Sequence, residues 1–155
     1  MDYQIVYQSP ELAAWLKSVL IPLAESREPD LIIGDDYLRR WFITPRSEDG
    51  SHGAVYLHNV RGPDDGRANH DHPWPSLSIV LSGGMREYLT GQDPVDLKAG
   101  DVVYRSATLT HRLDEPEPDT WTMFNTSATV RQWGFDCPKG WIPHTKFKEQ
   151  EGCGE

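Results

Sequence analysis

The sequence predicts a small all-β domain of sandwich or barrel type, with one α-helix near its N-terminus. Three observations lead there. The chain has 155 residues, enough for a single domain with a working core. From about residue 31 onward it breaks into short extended segments punctuated by many of its 13 glycines and 12 prolines. Before that point, one stretch repeats its apolar residues at helical spacing.

The helix begins at Ser9-Pro10-Glu11: a capping serine, a proline at the first helical position, and an acid near the positive end of the dipole. Leu12, Trp15, Leu16, Val19, Leu20 and Leu23 then form one apolar face, which suits a helix packed on the outside of the domain. Residues 1–30 are therefore expected to be a helical extension, 31–147 the β-barrel, and 148–155 a solvated polar tail.

Candidate strands are Leu38–Ile43, Ala54–Val60, Leu77–Ser82, Met85–Thr90, Asp101–Tyr104, His111–Leu113, Thr120–Asn125 and Val130–Phe135. Gly83-Gly84 suits a two-residue hairpin turn. That hairpin would pair Val80 with Glu87 and turn Arg86 and Tyr88 inward with Leu77, Ile79 and Leu81, leaving Glu87 outside. A slip of one residue would reverse every one of these assignments. Trp121, Phe124, Trp133, Phe135 and Trp141 are expected in the core or at a subunit contact.

The formal charge is −9, with 15 Lys and Arg against 24 Asp and Glu, and no basic cluster interrupts it. Nucleic acid and anionic membrane surfaces are therefore not expected partners. No apolar run approaches the ~20 residues of a membrane span, and the N-terminus lacks a signal-peptide pattern, so the expected compartment is the cytoplasm. Cys137 and Cys153, the only cysteines, lie outside any CxxC pair and are not expected to build a disulfide framework.

The chemistry-bearing stretch is Asn69-His70-Asp71-His72. On an extended chain, residues i and i+2 share a face, so both imidazoles can reach one point. His111 is the third candidate. His52, His58 and His144 read as surface or packing residues.

Together with the stretch from Gly100 to His111, these residues resemble the cupin superfamily. His70 and His72 fit the HxH pair of its first motif, Gly84 the glycine that closes it, and Gly100 and His111 the glycine and histidine of its second motif. The chain departs from the pattern elsewhere. Ser76 or Leu77 stands where the family places a glutamate ligand, Ser106 and Thr108 replace a proline and a glycine, and Glu115 replaces an asparagine.

The resemblance implies a small cupin-type double-stranded β-helix (jelly-roll) barrel. It also implies one divalent metal held by His70, His72 and His111, with Glu87 or water completing the set. Three histidines without a carboxylate resemble the thiol dioxygenases related to cysteine dioxygenase, which favours Fe(II), with Zn, Mn or Ni as alternatives. The implied function is a non-haem Fe(II) oxygenase acting on a small anionic molecule such as a thiol. The alternatives are a lyase, isomerase or epimerase using the metal as a Lewis acid, or a binding protein without catalysis. Arg86 or Arg105 would clamp a substrate carboxylate, and Tyr88 would orient it. Exposed sheet edges are compatible with a homodimer. Ligating imidazoles must be neutral, so the ion is expected to leave as pH falls below the ordinary histidine value of ~6.5.

Overall fold

The computed structural model describes residues 1–154, which form thirteen strands and two helices. In chain order these are β1 (Tyr3–Gln8), α1 (Pro10–Glu25), β2 (Leu31–Ile33), β3 (Leu38–Phe42), β4 (Ala54–Val60), β5 (Asn69–His70), β6 (Ser76–Ser82) and β7 (Gly84–Leu89). They continue with β8 (Val95–Lys98), β9 (Asp101–Arg105), β10 (His111–Asp114), β11 (Thr120–Thr126), β12 (Gly134–Cys137), β13 (Gly140–Pro143) and α2 (His144–Glu149). The strands make two antiparallel sheets, ordered β1-β9-β6-β11-β4-β3-β2 and β13-β12-β5-β10-β7-β8. The expected all-β class with an N-terminal helix is present. The segment ahead of the helix is a strand as well, with Tyr3 paired to Arg105 on β9.

α1 starts as its sequence dictates, with the Leu12 amide donating to the Ser9 hydroxyl at 3.1 Å. Its buried face, Leu20 and Ala24, lies on the outer surface of the seven-stranded sheet against Trp41, Leu57, Ile79, Leu81 and Val102. Trp121 joins that layer, 5.4 Å from Trp41 between ring centroids. A second cluster, Val60, Val80, Met85, Leu97 and Val103, fills the space between the two sheets. The seven-stranded sheet is thus covered on both faces.

This double coverage overturns the expected hairpin. β6 and β7 belong to different sheets, and β7 pairs with β8 and β10. The chain changes sheet at Gly83, which holds φ +68, and an added methyl there would collide with Thr120. The inward residues of β6 are therefore Ser76, Ser78 and Val80, while Leu77, Ile79 and Leu81 face outward beneath α1. On β7 the inward residues are Met85, Glu87 and Leu89, and Glu87 is wholly buried. Arg86 and Tyr88 face out.

The expected strand at Val130–Phe135 begins later, at Gly134, because the Val130 amide is taken by the Pro73 carbonyl in a loop. The tail is not a solvated appendage as far as Gly154. Cys137 and Cys153 form a disulfide across 16 residues, contrary to the cysteine reading. Phe147 on α2 is buried against Phe135, their rings 3.6 Å apart and stacked. The sequence hid this because Cys153 sits among polar residues, whereas its burial comes from Phe147 and Phe135. No helix is long and apolar enough to cross a membrane among the described residues.

The bridge makes a prediction. Cys153→Ser should lower unfolding stability by about 3 kcal/mol, the order expected for closing a loop of this length. Denaturant unfolding of both proteins measures it. Thiol labelling of the unreduced wild type should find no free cysteine.

Candidate metal centre

Three histidines meet at one end of the space between the sheets. β5 carries His70, the turn after it carries His72, and β10 opens with His111, which pairs directly with His70 across the ladder. One ring nitrogen from each lies within 4.8 Å of the others, and the ring centroids stand 4.9 to 5.1 Å apart. The HxH spacing works as expected: the intervening Asp71 points the other way. There it accepts hydrogen bonds from the Gly134 amide at 2.7 Å and the Trp141 indole at 2.9 Å, and it pairs with Arg131 at 2.7 Å.

The fit to a cation rests on tautomers. His111 Nδ1 lies 2.6 Å from a Glu87 carboxylate oxygen, so it carries the proton and donates it. In the neutral ring Nε2 then carries the lone pair, 2.9 Å from Nε2 of His72. Two donors each about 2.1 Å from a shared ion, at right angles, lie about 3 Å apart. Bare lone pairs at this separation repel, and a proton or a divalent cation between them removes the repulsion. One buried hydroxyl on the same inner layer, Ser76 Oγ, has no partner among the described residues, which fits a region that takes a further polar atom.

Behind the histidines lies a buried charge network. Arg105 grips Glu87 with Nε at 2.5 Å and Nη2 at 2.9 Å, and Nη1 donates to Ser78 at 2.7 Å. Burial alone would raise the Glu87 pKa. The Arg105 charge and the His111 and Arg105 hydrogen bonds outweigh burial and hold the carboxyl well below its ordinary range. Glu87 therefore orients His111 and balances the Arg105 charge, a role the hairpin register concealed.

The other expected site residues fall elsewhere. Arg105 is buried and its guanidinium is committed to Glu87 and Ser78. Arg86 lies on the outer face, paired with Asp96 at 2.8 Å. Tyr88 is beside it, its hydroxyl donating to Glu115 at 3.2 Å and its ring under the Arg112 guanidinium. His52 is exposed and His144 stacks on Trp133, both away from the cluster. Trp74, which follows the HxH pair, stacks on His72 at 4.8 Å, and Phe124 flanks both. A signal for Glu87 was available: it stands two residues from both Met85 and Leu89, and a charged residue in phase with core residues marks a buried pair.

No family model matches the sequence, and no curated protein matches it. Solved structures do match. The DMSP lyase DddQ from Ruegeria pomeroyi DSS-3 superposes with a TM-score of 0.60 at 16% identity, covering 87% of this chain and 74% of that one. KdgF from a Halomonas species gives 0.54 at 13% identity, over 68% of this chain and 92% of its own. A cupin-like protein from Thermotoga maritima gives 0.51 at 17%, over 79% and 93%. At these identities the likeness is one of fold: the neighbours are cupin-fold proteins, as the motifs implied. Fold and histidine cluster together suggest a divalent metal.

Two predictions follow from the geometry. His70→Ala, His72→Ala and His111→Ala should each remove most bound metal, while His52→Ala and His144→Ala leave it intact, as read by metal analysis after dialysis. Burial pushes His70 down to about 3 and His72 well below 6.5, so neither competes for protons at mildly acidic pH. Metal should consequently persist below pH 6.5 in equilibrium dialysis, lower than the sequence alone implied. Release complete at pH 6 would contradict the burial argument.

Acid stability follows the same groups. His58, like His70 and His72, is held neutral by burial, its pKa also lowered by Arg40, so the unfolded chain binds more protons than the folded one below about 6.5. Glu87 adds stability that is full above its ordinary 4.5 and is lost as pH falls below it. The metal-free Tm should decline from pH 7 to 4 and steepen at the acid end. Glu87→Ala should cost about 3–5 kcal/mol at pH 7, because it strands the Arg105 charge in the interior.

Proposed function

We propose that this protein is a divalent-metal enzyme in which His70, His72 and His111 hold the ion, acting on a small anionic substrate by Lewis-acid chemistry of the lyase or isomerase kind. The observation that carries the metal is the Glu87–His111 contact, which turns His111 Nε2 toward the point that His72 Nε2 faces. A bound divalent ion would polarise a carbonyl or carboxylate oxygen of the substrate. Imidazoles bind a metal in their neutral form and no carboxylate belongs to the cluster, so a bound divalent ion would keep a positive charge that favours an anionic ligand. Arg105 and Glu87 hold His111 in place and move no proton themselves, since their charges satisfy each other. Trp74 and Phe124 wall one side and limit access of water. The DMSP lyase among the structural neighbours supports a lyase reading in this fold.

The second reading is a non-haem Fe(II) oxygenase, and the all-histidine donor set favours it. Its thiol version expected Arg86 or Arg105 to clamp the substrate and Tyr88 to orient it; Arg86 and Tyr88 stand on the opposite face of β7, and Arg105 is committed to Glu87 and Ser78. The two readings separate cleanly. Protein purified without oxygen should carry one metal per chain. With Zn, Mn or Ni restored it should turn over small hydroxy-, keto- or thio-acids under nitrogen. Oxygen uptake by the Fe(II) form with cysteine or 3-mercaptopropionate, and no turnover under nitrogen, would give the case to the oxygenase.

A further inference from the structure

We propose that Arg40 and His58 form a recognition subsite for the carboxylate of a small substrate, inside the domain and beside the histidine cluster. The subsite rests on the metal-enzyme reading for what sits at the far end of the ligand, and on Arg40 and His58 alone for the carboxylate.

Arg40 on β3 and His58 on β4 are directly paired, and Thr122 on β11 lies next to His58, so all three belong to the inner face of the seven-stranded sheet. Arg40 Nε donates to His58 Nε2 at 2.8 Å. A histidine that accepts at Nε2 and is neutral carries its proton on Nδ1. Burial and the neighbouring guanidinium keep His58 neutral. Its Nδ1–H is thus a donor, and among the described residues it meets no acceptor.

Arg40 differs from most arginines of the fold, sharing its lack of an ion pair among the described residues with Arg46 and Arg112. Arg39 pairs with Asp36, Arg105 with Glu87, and Arg131 with Asp71. The half-buried Arg40 has no carboxylate within ion-pair distance among the described residues, and its two Nη groups donate to nothing there. Its guanidinium lies 4.5 Å over the Tyr56 ring, and its charged neighbour is another cation, Arg46. Burial lowers its pKa and Arg46 adds to the shift, opposed in part by Tyr56 and Tyr37. In a chain of net charge −9, such a group left without an acid is a place for a ligand's negative charge.

The chemistry sets the ligand class. With His58 neutral, Arg40 supplies the positive charge of the subsite and Arg46 adds to it from nearby, which favours an anionic group such as a carboxylate. The paired Nη groups present the fork that a carboxylate's two oxygens accept, and His58, by accepting from Nε, holds that fork in place. Phe124 stacks on His58 at 5.1 Å and reaches His72 at 6.3 Å, so one aromatic ring separates the subsite from the metal centre. The Arg40 charge is felt at His72, so a short-chain acid gripped by its carboxylate at Arg40 would extend toward the histidines past Phe124.

The test uses propionate and its uncharged isostere propionamide as probes, with binding to full-length protein followed by NMR of the Arg40 Nε–H and Trp74 indole signals. Propionate should bind wild type at least tenfold more tightly than propionamide. Arg40→Gln should raise the propionate Kd at least tenfold and leave metal occupancy unchanged, whereas Arg86→Gln changes neither. Equal binding of the two probes, or a Kd within twofold of wild type in Arg40→Gln, overturns the subsite. If Arg40→Gln does not fold, the wild-type comparison of propionate with propionamide decides alone. Selective propionate binding by protein that takes up no metal would keep the subsite and refute the metal-enzyme reading.

Discussion

The Glu87 carboxylate is the point on which the interior turns. It is fully buried, and two of its neighbours, Arg105 and His111, arrive from different sheets: β9 in the larger and β10 in the smaller. A buried ion pair contributes little net stability when compared with packed apolar groups, because desolvating both charges offsets most of the attraction. What it supplies here is geometry. Two hydrogen bonds from one guanidinium fix the carboxylate plane, and that plane fixes which His111 nitrogen carries the proton. Which His111 nitrogen is turned toward the other two histidines is therefore set by a contact outside the cluster.

Much of the fold was legible because its signals are local. The Ser9 cap, the helical spacing through Leu23, and strands near Ala54–Val60 and Thr120–Asn125 all appear where propensity and periodicity placed them. The three histidines were legible for a different reason: an HxH pair constrains two side chains at once, and the motif spacing brought in the third. What failed was the phase of β6. Leu77, Ile79 and Leu81 are the strongest apolar residues of that strand, so they read as interior. The interior, however, is where the chemistry lies, and it takes Ser76 and Ser78, while the leucines are buried outside under α1. Once a helix covers the back of a sheet, hydrophobicity no longer distinguishes its two faces.

The same confusion misplaced β7. A glycine pair between two apolar strands normally means a hairpin, and only the long-range partners of Gly84, held by the Thr120 hydroxyl, reveal a change of sheet instead. Reversing that one connection exchanges Arg86 and Tyr88 for Glu87 as the residue nearest the histidines. The disulfide escaped for a related reason. Its partner cysteines are brought together by Phe147 packing on Phe135, a contact whose sequence separation hides it from any local pattern.

Asp71 gives the C-terminal hairpin an unexpected standing. Wedged between two ligand histidines, it is tied to Gly134 at the start of β12 and to Trp141 on β13, with Arg131 closing the third side. The loop that presents His70 and His72 is thereby bolted to a part of the chain more than sixty residues away. Any shortened version of this domain has to keep that hairpin, even though it contributes no ligand, since without it the two imidazoles would lose the strut that holds their turn in shape. The structural boundary of the histidine cluster is consequently drawn further along the chain than His111, its last member.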